Sequence, residues 1–217
     1  MFTGALLFDF DGLLVDTESA ALRAWQETFR EHDTELPRSA MLAWLGRRTD
    51  TLDPGETWLK AKARIVALLE DEGPRAGVVT YLDTAREHGL RLAVASGATR
   101  DWVVPRLRDV GLLDAFDAVV TGDGRPSKPA PDVYLAALDA VGAEAAIAFE
   151  DTPVGVTAAN AAGISCVAVP NPVTAVLDFP TAAQLTSQRP ASSQPLSTPS
   201  WQTSTLSESS GSGFSEA

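Results

Sequence analysis

Short apolar runs alternate along most of the chain with stretches in which apolar residues recur every third or fourth position. The first run, Ala5-Leu6-Leu7-Phe8, leads into Asp9-Phe10-Asp11-Gly12 and reads as a buried strand of a parallel sheet. Strand alternation would put Asp9 and Asp11 on one face and Phe8 and Phe10 on the other. Four more runs read as strands: Leu90 to Ala95, Phe116 to Thr121, Ala146 to Phe149 and Ser165 to Val169. Helical spacing fills the intervals, through Val78, Leu82 and Ala85, then Trp102, Val103 and Leu107, then Tyr134, Leu135 and Leu138. Pro105 should kink the early turns of the second of these. Thr152-Pro153 reads as a cap and first-turn proline of a further helix that ends at Gly163. This alternation predicts an α/β fold with right-handed crossovers and a parallel sheet of about five strands.

Residues 18–74 break the alternation. Ala21, Leu22, Trp25 and Phe29 share one face of a helix that Thr17 can cap. Pro37 opens a short helix with Met41, Leu42 and Leu45, which Gly46 ends, and a third helix is expected from about Pro54 to Glu70. The segment therefore reads as an all-helical insertion into a core made of residues 1–17 and 75–178, with hinges near Thr17 and near Arg75 to Gly77. Beyond Asp178, Ser, Thr, Gln and Pro dominate and apolar spacing disappears, so residues 179–217 read as a disordered tail.

Composition narrows the partners. Hydrophobic residues make up 45% of the 217, enough for a core, and no apolar run is long enough to span a bilayer. A net charge of -12 argues against nucleic acid and anionic membrane surfaces, which need Lys and Arg. The start of the chain shows no basic, leader-like stretch. A single cysteine, Cys166, excludes an internal disulfide and suits a reducing compartment. A cytoplasmic monomer is expected, without a nucleic-acid or membrane partner.

The candidate chemistry lies at strand ends: Asp9 and Asp11, Ser96-Gly97, Glu150-Asp151, and Lys128 in the loop before a helix. The carboxyl ends of parallel strands share one edge, so these residues should converge although far apart in sequence. Their types fit phosphoryl transfer. A carboxylate can attack phosphorus, carboxylates can hold Mg²⁺, and a hydroxyl and an ammonium can hold phosphate oxygens. Each signal has a plainer explanation: a turn cap for Asp9 and Asp11, a strand-to-helix turn for Ser96-Gly97, a solvated Lys128, and a helix-capping acid pair at Glu150-Asp151. All four in this order are much harder to attribute to chance.

On these stretches the chain resembles the haloacid dehalogenase-like hydrolase superfamily, in its subgroup of phosphatases and β-phosphoglucomutase with a helical cap after the first strand. The matching segments are Phe8-Asp9-Phe10-Asp11-Gly12-Leu13-Leu14-Val15-Asp16-Thr17-Glu18, Val94-Ala95-Ser96-Gly97, Lys128-Pro129-Ala130-Pro131-Asp132-Val133-Tyr134 and Phe149-Glu150-Asp151-Thr152-Pro153-Val154-Gly155-Val156. The resemblance implies Asp9 as nucleophile and Asp11 as general acid/base, the latter also offering its backbone carbonyl to Mg²⁺. It implies that Ser96, Gly97 and Lys128 bind the phosphoryl group, that Asp151 ligates the metal and that Glu150 supports it. Arg47 and Arg48, in a basic loop of the insertion, are candidate substrate contacts on cap closure. The insertion looks shorter than the family's usual cap, and the Ser-rich tail stands where the family continues with another strand and helix. The implied activity is Mg²⁺-dependent hydrolysis of a small phosphorylated metabolite, a sugar phosphate or phosphoglycolate-like compound, through an aspartyl-phosphate. A phosphosugar mutase resembling β-phosphoglucomutase and a non-catalytic member are the alternatives.

Overall fold

The computed structural model describes residues 4–31, 33–37, 55–180 and 183–184. Six parallel strands form one sheet in the order β3-β2-β1-β4-β5-β6. They are β1 (Gly4–Phe8), β2 (Arg91–Ala95), β3 (Ala118–Val120), β4 (Ala145–Glu150), β5 (Ser165–Ala168) and the two-residue β6 (Ala183–Gln184). Among the described residues the helices are α1 (Thr17–Arg30), α2 (Glu56–Leu68), α3 (Val78–Glu87), α4 (Arg100–Asp109), α5 (Asp132–Ala140) and α6 (Pro153–Ala161). The central β1 pairs with β2 through Leu7 opposite Ala93 and with β4 through Leu7 opposite Ala148. The chain reverses its direction of growth across the sheet at β1, and the crevice between the carboxyl ends of β1 and β4 is where such sheets hold ligands.

Strand alternation builds the two layers. Ala5 and Leu7 of β1 face one side with Ala93, Ala95, Ala148, Cys166 and Ala168, under Tyr134 and Ala137 of α5 and Val156 and Ala159 of α6. Leu6 and Phe8 face the other side with Leu92 and Val94, under Leu82 and Ala85 of α3 and Val103 and Leu107 of α4. Small residues dominate the first face, so α5 and α6 can approach the sheet closely. On the second face Phe8 stacks on Phe149 at 4.9 Å between centroids. No described helix is long and apolar enough to cross a membrane.

The helical insertion leaves and re-enters the core at one place. Val15 bridges Pro74, and the Arg75 N–H donates to the Leu14 carbonyl at 2.9 Å. Ala24 of α1 and Ala61 of α2 are fully buried, and Arg64 of α2 donates to Thr28 of α1 at 2.7 Å and pairs with Glu31. On its other side α1 sets Ala21, Leu22 and Trp25 against Val173, just beyond β5. The expected short helix around Met41 to Leu45 lies outside the described residues.

Two expectations are corrected. Asp16, rather than Thr17, caps α1, its carboxylate accepting from the Ser19 N–H at 3.1 Å, because the Thr17 hydroxyl is engaged by the Gly12 N–H at 2.9 Å. β1 ends at Phe8, so Asp9 and Asp11 lie in the following loop and not on strand positions. The helix containing Pro105 runs from Arg100 to Asp109. The sheet of about five strands gains a two-residue edge strand, where Ala183 and Gln184 pair with Val167 and Ala168. Main-chain pairing needs no apolar side chain, so composition alone hides such a strand.

Candidate active site

Three carboxylates meet beyond the ends of β1 and β4. Asp9, Glu150 and Asp151 each bring one oxygen within 4.8 Å of the others, and all three are buried. Asp9 is placed by its own N–H, which donates to the Phe149 carbonyl at 3.0 Å and extends the β1–β4 pairing by one residue. Lys128 reaches in from the loop before α5 and bonds Asp9 Oδ1 and Glu150 Oε1, both at 2.6 Å. It is the only buried cationic side chain among the described residues.

Glu150 is fully engaged. Its Oε1 also accepts from the Tyr134 hydroxyl at 2.6 Å, and its Oε2 accepts from the Thr152 hydroxyl at 3.1 Å. Thr152 in turn caps α6 by accepting from the Gly155 N–H at 3.2 Å. Gly155 leaves room for this arrangement, since a Cβ there would stand 2.0 Å from the Glu150 carboxyl. Glu150 thus anchors Lys128 and the start of α6 at once.

Asp151 is held from one side only. Its Oδ2 accepts from Asn171 Nδ2 at 2.7 Å, while its buried Oδ1 has no hydrogen-bond partner. A buried carboxylate oxygen left bare is costly, and a hard cation would satisfy it. With Asp9 beside it, the donor set is all oxygen and strongly anionic, which fits Mg²⁺ or a similar divalent ion. Gly12 packs beneath, at φ +74°, where a Cβ would fall 2.2 Å from Asp151 Oδ2 and 2.7 Å from Asn171 Nδ2. The Gly12 carbonyl accepts from both Arg75, at 2.6 Å, and Asn171, at 3.3 Å.

Asp11 stands apart from the three. Its Oδ1 accepts from the Trp102 indole N–H at 2.9 Å. The buried Ser96 hydroxyl accepts from the Ala98 N–H at 3.1 Å. The Gly97-Ala98 turn lies against Gly122, where a Cβ would come 2.1 Å from the Gly97 carbonyl oxygen.

Electrostatics mark the region as overloaded with negative charge. Burial pushes Asp9 up to about 7, with Lys128 opposing and Glu150 and Asp11 adding to the rise. Glu18, at the start of α1, is pushed up to about 8 by burial and by the charges of Asp11 and Asp9. Burial, then Asp9 and Glu150, hold Asp151 well above the usual carboxylate range. Burial also raises Asp11, against its bonds from Trp102 and Thr17. Burial disfavours the charge on Lys128, but Asp9 and Glu150 outweigh it and hold the ammonium protonated. A divalent cation would offset this excess.

Residues 3–163 match the family model described as haloacid dehalogenase-like hydrolase. The chain belongs to this family. YhcW of Bacillus subtilis is 37% identical over 191 residues, spanning 81% of this chain and 87% of that protein. The fructose-1-phosphate phosphatase YqaB of Escherichia coli is 31% identical over 186 residues, spanning 76% of this chain and 95% of that protein. The crystal structure of CbbY from Rhodobacter sphaeroides in complex with phosphate matches with a TM-score of 0.66 at 27% identity, covering 86% of this chain and 94% of that one. This haloacid dehalogenase-like protein is a phosphatase of small phosphorylated substrates, a phosphoric monoester hydrolase.

Of the residues singled out in the sequence, Asp9, Lys128, Glu150 and Asp151 come together, Asp11 stands apart on Trp102, and Ser96 is buried just past β2. Arg47 and Arg48 lie outside the described residues. Sequence reasoning missed the roles of Tyr134 and Asn171 and the contact of Trp102 with Asp11. Tyr134 and Trp102 read as apolar helix positions, and nothing local marks Asn171.

Proposed function

We propose that this phosphatase is Mg²⁺-dependent and hydrolyses a sugar phosphate or phosphoglycolate-like metabolite through an aspartyl-phosphate at Asp9. The bare Oδ1 of Asp151 beside Asp9 is the observation that carries the reading. Asp9 and Asp151 would hold the ion, with the Asp11 backbone carbonyl contributing and Glu150 behind them. When bound, the ion supplies positive charge to the transferring phosphoryl group and eases the approach of an anionic nucleophile. An Asp9 carboxylate oxygen attacks phosphorus, the ester P–O bond breaks, and Asp11 gives its proton to the departing alkoxide oxygen. Water then attacks phosphorus, Asp11 takes up its proton, and phosphate leaves with the Asp9 carboxylate restored. Lys128, fixed by Glu150, binds a phosphoryl oxygen, as do the Ser96 hydroxyl and the Gly97 loop.

A panel of sugar phosphates, phosphoglycolate and nucleotides, assayed with Mg²⁺ and with chelator, tests this. Phosphate release that needs Mg²⁺ and vanishes in Asp9→Asn is expected. Release that persists in that variant, or needs no metal, overturns the reading. Interconversion of β-glucose 1-phosphate and glucose 6-phosphate without phosphate release would make the protein a mutase.

A further inference from the structure

Trp102 sits in the first turn of α4, 91 positions from Asp11 in sequence, yet its indole N–H is aimed at that carboxylate at 2.9 Å. We propose that Trp102 is a positioning residue for Asp11, fixing the carboxylate where a leaving-group oxygen can collect its proton. The inference rests on Asp11 being the general acid/base.

Two features favour it over a plain packing role. An indole N–H is a donor only, so it selects the carboxylate oxygen and cannot compete with Asp11 for its proton as an acceptor. The indole is itself immobilised. The Arg106 guanidinium lies 3.3 Å from the ring centroid, and Arg106 Nη1 donates to the Trp102 carbonyl at 3.2 Å. Packing on α4 would need only the ring, which is half-buried among the residues over Phe8 and Val94. Neither the ring's burial nor the Arg106 stack requires the N–H to find Asp11. The carboxylate is thereby kept out of the Asp9, Glu150 and Asp151 cluster, so the acid/base does not collapse onto a metal-binding position.

Trp102→Phe keeps the ring and deletes the donor. For fructose 1-phosphate, whose alkoxide needs a proton to leave, kcat/KM should fall at least about tenfold. For p-nitrophenyl phosphate, whose leaving group needs none, it should stay within about twofold. In an Asp11→Ala background the substitution should have no further effect on either substrate. A readout independent of turnover is the set of five tryptophan indole N–H resonances, one missing in Trp102→Phe. That resonance should be protected from solvent exchange in the wild-type protein and lose protection in Asp11→Ala. An unmoved resonance, equal losses on both substrates, or a full additive loss in the double variant each overturn the proposal. Failure of the phosphatase reading looks different: Asp9→Asn would retain turnover while the indole resonance still responds to Asp11→Ala.

Discussion

Asn171 donates to Asp151 at 2.7 Å, and so binds the segment after β5 to the site at the end of β4. Its side-chain Oδ1 accepts from the N–H groups of Val173, at 2.8 Å, and Thr174, at 3.0 Å, which locks the turn that carries it. The amide occupies Asp151 Oδ2, and the buried Oδ1 has no hydrogen-bond partner.

Asn171→Ala should therefore weaken Mg²⁺ binding by roughly 10- to 100-fold, the usual effect of losing a group that orients a metal ligand. Titrating Mg²⁺ against the melting temperature measures this without turnover. An unchanged affinity would mean that Asp151 is positioned without Asn171.

Gly12→Ala should be among the most damaging small substitutions. The added methyl collides with Asp151, Asn171 and Glu18 and sits at a left-handed backbone angle. Loss of Mg²⁺-dependent phosphate release and a lower melting temperature are expected. Wild-type metal affinity in this variant would show that the loop can shift without disturbing Asp151.

Stability should depend on pH and metal together. In the metal-free protein the carboxyls of Asp9 and Glu18 hold protons up to about 7 and about 8, which the unfolded chain has already released. The folded state then binds more protons than the unfolded state between about pH 5 and pH 8, so stability falls as pH rises through that window. In chelator the melting temperature should decline across it, and the stabilisation from Mg²⁺ should grow with pH. A melting temperature in chelator that rises with pH would contradict the burial of uncompensated carboxylates.

The sequence made the α/β core and the strand-end acids legible because both depend on local order. A short apolar run ending in Asp9 is visible in a dozen residues, and parallel topology alone brings Asp151 and Lys128 to the same edge. Tertiary choices were hidden. The N-cap of α1 moved from Thr17 to Asp16 because a distant demand, the Gly12 N–H, took the threonine hydroxyl. Tyr134 obeys helical spacing as an apolar residue while its hydroxyl serves Glu150, so periodicity saw only its ring. Asn171 carries no spacing signal, since its partner lies 20 positions back, just past the end of β4.

Covalent catalysis by Asp9 would leave a phosphoryl group on that side chain during turnover. Turnover of a hydrolysed sugar phosphate in Mg²⁺, quenched rapidly in acid and digested for peptide mass spectrometry, tests it most directly. One phosphoryl group is expected on the peptide carrying Asp9, absent in chelator and in Asp9→Asn, and released by hydroxylamine as an acyl phosphate. Steady turnover with no phosphoryl group on that peptide, or with the group on another residue, would contradict covalent catalysis by Asp9.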